Sequence, residues 1–270
     1  MSTAVRPVGP RRASVGDLLR KWRQHRRLSQ LELSVRADIS SRHLSFVETG
    51  RSVPSRDMVL HLAEELDLPL RERNELLLAA GYAPMYAERA LDTAPMAAVR
   101  DAVRQVLTGH EPFPAVAVDR WWNLVDGNAA LGLLTAGVAE ELLAPPVNAL
   151  RLSLHPDGMA PRIANLGEWR AHLLHRLGRQ VEQTADPELT ALRDELAGLP
   201  CDEPGPAPEQ SGPGAVVVPL RMRHPAGELT FVSTVTTFGT PLDITVAELA
   251  IEAFFPADEA TAKILRAGSG

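Results

Sequence analysis

Two histidines and one cysteine are the side chains best suited to metal binding or nucleophilic chemistry. His172 and His175 stand three residues apart on a predicted helix, but no obvious third metal ligand accompanies them. Cys201, the only cysteine, lies beside a segment rich in Pro and Gly, where a buried nucleophile is not expected. The sequence also lacks a phosphate-binding Gly-rich loop, a His-Glu-x-x-His pair and a Gly-x-Ser-x-Gly elbow. We therefore expect no metal site, no cofactor and no enzyme.

A different kind of site, one that binds an apolar small molecule, is predicted in the C-terminal two-thirds of the chain. Its apolar candidates are Trp122, Leu131, Leu134, Trp169 and Leu173. The polar candidates, which would orient a ligand head group, are Asn128, Arg151, His155 and His172. Ordinary core packing is the simpler explanation for each apolar residue taken singly, and the sequence that starts at His155 is more typical of a turn.

Charge is distributed unevenly along the chain. Residues 1–62 contain 12 lysines and arginines against 5 acidic residues, whereas residues 91–270 contain 13 against 23, and the formal net charge is −6. A basic end on an acidic body indicates a nucleic-acid-binding module joined to a part that does not touch nucleic acid. No apolar run reaches the roughly 18 residues of a membrane span, and the N-terminus lacks a secretory apolar region. We expect a cytoplasmic protein with no membrane partner.

Helix caps divide the basic part of the chain into short helices. Residues 1–13 are predicted to be a flexible arm, and capping serines then open four helices, at Ser14, Ser29, Ser40 and Ser55. The third of these is predicted to end near Gly50, where a positive φ suits glycine. A fifth helix is predicted from about Leu70 to Gly81. These elements predict an all-helical domain over residues 14–84, followed by a linker over residues 85–95.

The segment from Gln30 to Arg51 resembles the helix-turn-helix of XRE/Cro-type phage-repressor proteins. Leu33, Leu44 and Val47 stand where two crossed helices must share a core. Asp38 occupies the turn in which the family usually has Gly, a mild departure because Asp tolerates a left-handed backbone. The resemblance implies that the second helix of the pair lies in the major groove of double-stranded DNA.

The same resemblance assigns DNA contacts residue by residue. Gln30 matches a phosphate-contacting position at a helix N-terminus, where backbone N–H groups also face the anion. Base-facing positions are matched by Ser40, Ser41 and Arg42, of which Arg42 is suited to bidentate pairing with guanine. Next to these lie His43 on the phosphate side, Ser45 and Phe46 one turn on, and Thr49 and Arg51 in the backbone-contacting loop. A solvated position for Arg42 and a core position for Phe46 stay open as alternatives.

One structural feature of that family also has a match here. Arg23 on the first helix and Glu48 on the third resemble an ion pair that ties these two helices together. The alternative is two unrelated surface charges. If the pair is buried, loss of one partner should cost several kcal/mol, on the order of 3–5.

Helices and strands are both predicted beyond residue 95. The predicted helices cover residues 96–107, 165–182, 187–199 and 258–267, with another from Asn128. The predicted strands cover residues 113–118, 121–125, 215–223, 228–238 and 249–255, and a Pro- and Gly-rich loop covers 204–213. Strands that flank a central block of helices predict an α+β domain over residues 96–268.

Several short sequence segments of this region resemble the MmyB-like ligand-binding domain. In that family the domain follows an XRE-type helix-turn-helix, the same order as in this chain. The segments are residues 78–84, 117–123, 237–241 and 254–258. The resemblance implies a PAS-like fold, a small curved sheet wrapped by helices around an apolar pocket. It also implies that a fatty-acid-like ligand suits some members.

Together these features predict a ligand-responsive transcriptional regulator. A homodimer would bind a roughly palindromic operator with half-sites about one helical turn, ~34 Å, apart. An apolar, fatty-acid-like ligand would act through its different affinities for two arrangements of the DNA-binding domains. The alternative is a C-terminal domain that serves only dimerisation or a protein partner, which a collapsed interior without a cavity would favour.

Overall fold

A computed structural model of the chain describes residues 13–203 and 218–267. It divides into two compact units between Ala87 and Glu88, which we call the N-terminal unit and the C-terminal unit. The arm predicted over residues 1–13, apart from Ala13, and the loop predicted over residues 204–213 lie outside the described residues.

The N-terminal unit is entirely helical over residues 13–87. Its helices are α1 (Val15–His25), α2 (Gln30–Arg36), α3 (Ser41–Glu48), α4 (Arg56–Glu65) and α5 (Leu70–Ala79). The four predicted serine caps each accept a hydrogen bond from a backbone N–H of the first turn, which satisfies a donor that the helix itself leaves unpaired. Ser14 and Ser29 form complete capping boxes. The predicted five-helix domain is therefore confirmed.

The α2–α3 pair is held against α1 by a close-packed core. Leu33, Leu44 and Val47 are fully buried, as predicted. The turn between the two helices has Asp38 at φ 49°, in the left-handed region that Asp tolerates. The helices also approach closely at Gly16, where a Cβ atom would lie 2.5 Å from the carbonyl oxygen of Val47. Any larger residue at position 16 would push α3 away from α1.

The C-terminal unit joins helices to one antiparallel sheet. Its helices are α6 (Ala97–Gly109), α7 (Leu131–Thr135), α8 (Ala149–Leu154), α9 (Leu166–Thr184), α10 (Pro187–Ala197), α11 (Ile244–Ala247) and α12 (Glu259–Ala267). Its strands are β1 (Ala115–Val118), β2 (Leu124–Gly127), β3 (Leu220–His224), β4 (Gly227–Thr237) and β5 (Ala250–Pro256). The order β2-β1-β5-β4-β3, with antiparallel neighbours throughout, fits the predicted PAS-like α+β fold.

The two faces of the sheet carry separate apolar clusters. Alternate residues of β1 divide between them, since Val116 and Val118 join the larger cluster while Ala115 and Ala117 join the smaller one. The larger cluster contains side chains of α8, α9 and α10, and we call the side of the sheet that faces it the inner face. The smaller cluster is formed with α6. Inner-face residues can therefore line a space under the helices.

One predicted strand lies in a different place from the prediction. The aromatic pair Trp121-Trp122 favoured a strand over residues 121–125, whereas β2 begins only at Leu124. The carboxylate of Asp119 accepts hydrogen bonds from the backbone N–H groups of Trp121 and Asn123, and Trp122 has φ 68°. The chain therefore turns at the two tryptophans before it pairs. The helix predicted from Asn128 likewise begins three residues later, at Leu131.

Candidate functional site

The exposed side of α3 presents polar and basic side chains. Ser40, Arg42, Thr49 and Arg51 are exposed, and His43, Ser45 and Phe46 are half-buried. The Ser40 hydroxyl accepts a hydrogen bond from the backbone N–H of His43, so it also caps the helix. The α2–α3 pair thus brings most of the residues predicted to contact DNA to one helix and the loop that follows it.

Phe46 lies between two arginines. The guanidinium carbons of Arg42 and Arg51 lie 5.3 Å and 5.9 Å from the centre of its ring, within cation–π range. The Phe46 carbonyl also accepts hydrogen bonds from the backbone N–H groups of Arg51 and Ser52, at 2.8 Å and 3.1 Å. Phe46 therefore belongs neither wholly to the core nor to the solvent. It supports two cations on the surface that the resemblance assigns to DNA.

Two hydroxyls of the predicted set already have partners inside the protein. Ser41 shares a 2.7 Å hydrogen bond with the hydroxyl of buried Ser34 on α2. Thr49 donates to the carbonyl oxygen of Ser45 at 2.7 Å. Each hydroxyl still has lone pairs, so their DNA contacts stay predictions.

The predicted ion pair between α1 and α3 is confirmed and is part of a larger cluster. Arg23 and Glu48 are 8% and 2% exposed, and Glu48 also accepts a 2.8 Å hydrogen bond from the side-chain amide of Gln30. Burial alone would raise the pKa of Glu48. Hydrogen bonds from Arg23 and Gln30, with the nearby charges of Arg23 and Arg20, outweigh burial and hold that pKa below its usual value of 4.5. One amide hydrogen of Gln30 is thus used within the protein.

The inner face of the sheet and the helices over it line a partly open apolar cavity of about 60 Å³. Four of the predicted ligand-binding residues line it, namely Leu131, Leu134, Trp169 and Leu173. The cavity is well below the ~150 Å³ that accommodates benzene and the ~300 Å³ of a typical ligand pocket. A ligand with an alkyl chain would therefore require the surrounding side chains to move apart.

Three polar side chains interrupt the apolar lining: Thr135, Ser153 and Glu252. The hydroxyl of Ser153 accepts a 2.9 Å hydrogen bond from the indole N–H of Trp169. The carboxylate of Glu252 accepts two hydrogen bonds from Arg176 on α9, at 3.0 Å and 2.8 Å. Sequence reasoning missed Glu252, although its alternation with Phe254 along a strand places an acid on the core-facing side.

The other five predicted ligand-binding residues do not belong to the cavity lining. Asn128 donates to the carbonyl oxygens of Leu107 and Phe113 and accepts from the N–H of Ala115. Trp122 donates a hydrogen bond to the side chain of Gln180, and Arg151 forms an ion pair with Glu195. His155 accepts a hydrogen bond from the N–H of Asp157, and the ring of His172 stacks on that of Trp169. Burial, followed by the charge of Arg176, lowers the pKa of His172 below 6.5. A ligand role for these five stays a prediction.

Two features are absent from residues 13–203 and 218–267, the part of the chain that the structure describes. This part of the chain contains no group of three or more His, Cys, Asp or Glu residues that could hold a metal ion. None of the helices described there combines the length and the hydrophobicity needed to cross a bilayer.

Comparison with known proteins covers both units. Residues 99–267 match the family model described as the MmyB-like transcription regulator ligand binding domain, and residues 14–76 match that of a helix-turn-helix domain. Neither model describes an enzyme. No curated protein matches the chain. Among solved structures, an RNA-binding light-oxygen-voltage receptor matches with 13% identity and a TM-score of 0.24, over 94% of this chain and only 61% of the receptor. A TM-score that low supports no inference about fold or function.

Proposed function

Since the chain belongs to the family defined by the MmyB-like transcription regulator ligand-binding domain, we propose that it is a ligand-responsive, XRE-type regulator of transcription. In this proposal the N-terminal unit binds double-stranded DNA and the C-terminal unit binds a small apolar ligand. The observation that carries the proposal is the α2–α3 pair, with Arg42, Phe46 and Arg51 on its exposed side, in one chain with an apolar cavity.

The DNA half of the proposal follows from exposure and charge. Arg42 lies on the first turn of α3 and is exposed, so its guanidinium is free to face base edges once the helix enters a major groove. Arg51 and Thr49 lie past the end of the same helix, where they would contact phosphates. We propose that a homodimer binds a roughly palindromic operator, because two copies of such a helix read two half-sites.

The ligand half rests on the cavity and on the resemblance. Fifteen residues line the cavity, and all but three have apolar side chains. The resemblance implies a fatty-acid-like molecule, and its alkyl chain would enlarge a space of about 60 Å³. Such a ligand changes DNA binding only as far as its affinity differs between two states of the regulator.

The small size of the cavity favours a second candidate function. At about 60 Å³ the interior is close to collapsed, as expected for a C-terminal unit that serves only dimerisation or the binding of a protein partner. Both candidates retain the DNA-binding N-terminal unit.

Selection of genomic DNA fragments by the full-length protein tests the DNA half. We expect enrichment of a small number of sites near promoters, and an affinity that falls steeply with salt because phosphate contacts release counterions. Binding without sequence preference would contradict the proposal.

Native mass spectrometry of the same protein, with an organic extract of the sample, tests the ligand half. A non-covalent adduct that extraction removes, and that changes operator affinity when added back, supports ligand response. An added extract that leaves operator affinity unchanged favours the second candidate.

A further inference from the structure

Glu252 is the one acidic residue among the described residues that line the apolar cavity. It lies in the middle of β5, opposite Val116 on β1 and Val235 on β4. Its side chain is only 7% exposed, and it shares the inner face with Phe254, which also lines the cavity. An acidic side chain is rarely buried to this degree unless it has a partner. The carboxylate is therefore a specific feature of this cavity.

The partner of Glu252 approaches from outside the lining. Arg176 on α9 donates to both carboxylate oxygens, and its guanidinium lies over the ring of Trp122 at 4.3 Å from the ring centre. Arg176 does not belong to the lining, whereas Glu252 does. Of this ion pair, only the acidic residue Glu252 therefore lines the cavity. The positive member lies over an aromatic ring and donates to Glu252 through both of its terminal nitrogens, while its buried Nε has no hydrogen-bond partner among the described residues.

Because of this ion pair, the cavity should bind ligands differently according to the charge of their head groups. A second carboxylate placed beside Glu252 would bring two like charges together in surroundings of low dielectric, with one arginine to compensate both. An ammonium group would add a positive charge beside Arg176 and compete with it for the same oxygens. A neutral hydroxyl or amide N–H adds no charge, and each oxygen of Glu252 keeps a lone pair to accept its hydrogen bond.

We propose that Glu252 makes the cavity selective for an apolar ligand whose head group is a neutral hydrogen-bond donor, such as an alcohol. An alkyl carboxylate or alkylammonium ion of the same length is disfavoured. The inference rests on the proposed ligand-binding function and narrows its ligand class. The ligand keeps the alkyl chain of a fatty-acid-like molecule but not an ionised acid. Ser153, which also lines the cavity, provides a second polar residue for the same head group.

Calorimetric titration of the full-length protein at neutral pH with four matched decyl compounds tests the proposal. They are decanol, decanoate, decylammonium and methyl decanoate, each used below its micelle-forming concentration. We expect decanol to bind at least about tenfold more tightly than either ion, a difference of about 1.4 kcal/mol. Methyl decanoate, which has the chain but no donor, should also bind more weakly than decanol.

Each other outcome of this series overturns the proposal. Decanoate binding as tightly as decanol would refute the role of Glu252 and leave the ligand-responsive regulator intact. Equal binding of methyl decanoate would refute the need for a donor. Failure of all four compounds to bind would refute the ligand half of the proposed function as well, and operator binding, measured separately, would be unaffected.

The variant Glu252→Gln removes the negative charge from the cavity lining and keeps the shape of the side chain. Arg176 then lacks its counter-ion, so we expect decanoate to bind at least about tenfold more tightly to the variant than to the wild type. Glu195→Gln, which removes a half-exposed partner of Arg151, is the matched control and should keep the wild-type order. Circular dichroism shows whether each variant folds. If Glu252→Gln does not fold, the wild-type series decides alone.

Discussion

Arg23 on α1 donates two hydrogen bonds to the carboxylate of Glu48 at the end of α3, at 2.6 Å and 2.9 Å. The same guanidinium also donates to the carbonyl oxygen of Leu28 in the loop before α2. One buried side chain therefore connects α1 to the loop before α2 and to the end of α3. The pair fixes the position of α3 relative to α1, which the backbone contact at Gly16 also limits.

Removal of Arg23 should destabilise the N-terminal unit. We expect Arg23→Ala to lower its free energy of unfolding by about 3–5 kcal/mol, because the buried Glu48 carboxylate loses its main partner. Hydrogen exchange read by mass spectrometry over residues 15–48 separates this unit from the other. Arg42→Ala, which removes an exposed arginine, is the control and should change little. Equal protection in both variants would show that the ion pair does not contribute.

The same pair should make stability depend on pH. The folded pKa of Glu48 lies below its usual value of 4.5, so its contribution is complete above about that pH. It is lost as the pH falls through the lowered folded value, because the carboxylate then binds a proton. Urea unfolding at pH values from neutral to acid should show this loss. Glu48→Gln should remove that part of the pH dependence, and an unchanged profile in the variant would assign it to other groups.

Arg42 and Arg51 should affect DNA binding in different ways. Arg42→Ala is expected to cost about 1–3 kcal/mol at the selected site and to relax the base preference at one position, as for a bidentate base contact. Arg51→Ala should weaken binding to all sequences and reduce the salt slope by about one. Titrations of operator and unrelated DNA at several salt concentrations separate the two effects. Identical losses on both DNAs for Arg42→Ala would exclude a base contact.

Filling the cavity should abolish ligand binding without unfolding the protein. Ala149 on α8 lines the cavity, and a larger side chain there occupies its space of about 60 Å³. We expect Ala149→Leu to bind no decanol and to keep its melting temperature within a few degrees, since new contacts offset local strain. Ala98→Leu on the exposed side of α6 is the control. Decanol binding that survives in Ala149→Leu would place the ligand elsewhere.

Asn128 should act on stability rather than on ligand affinity. Its amide binds three backbone groups, of which the carbonyl oxygen of Leu107 also accepts from the N–H of His110. Each buried group that Asn128→Ala leaves unpaired costs about 1–3 kcal/mol. Urea unfolding followed by tryptophan fluorescence reports mainly on the C-terminal unit, which contains Trp121, Trp122 and Trp169, whereas the N-terminal unit contains Trp22 alone. Gln105→Ala, an exposed amide on α6, is the control. A stable Asn128→Ala protein that no longer binds decanol would instead support the ligand role.

Features set by local interactions were predictable from the sequence. A serine three residues before an acid can satisfy only the N–H groups next to it, so Ser14 and Ser29 marked helix starts correctly. The strand predicted over residues 121–125 was wrong at Trp121-Trp122. There the hydrogen bonds to Asp119 outweigh the preference of aromatic residues for strands.

The polar part of the cavity was not predictable in the same way. Arg176 and Glu252 are 76 residues apart in the chain, and only the packing of α9 over β5 brings them together. Period-two alternation shows which side of a strand an acid faces, but it does not show which helix covers that side. Asn128 was predicted to orient a ligand head group because it is a polar residue among apolar ones. In the structure its side chain binds backbone groups instead.

The position of β5 in the middle of the sheet has a consequence for the order in which a newly made chain acquires its structure. The pairings of β5 with β1 and β4 join the start of the C-terminal unit to its end. The helices of the N-terminal unit make their contacts within residues 13–87 and can fold while the rest of the chain is being synthesised. The sheet lacks its central strand until Pro256 has been synthesised. A nascent chain can therefore complete its helix-turn-helix before it can complete the sheet that lines the cavity.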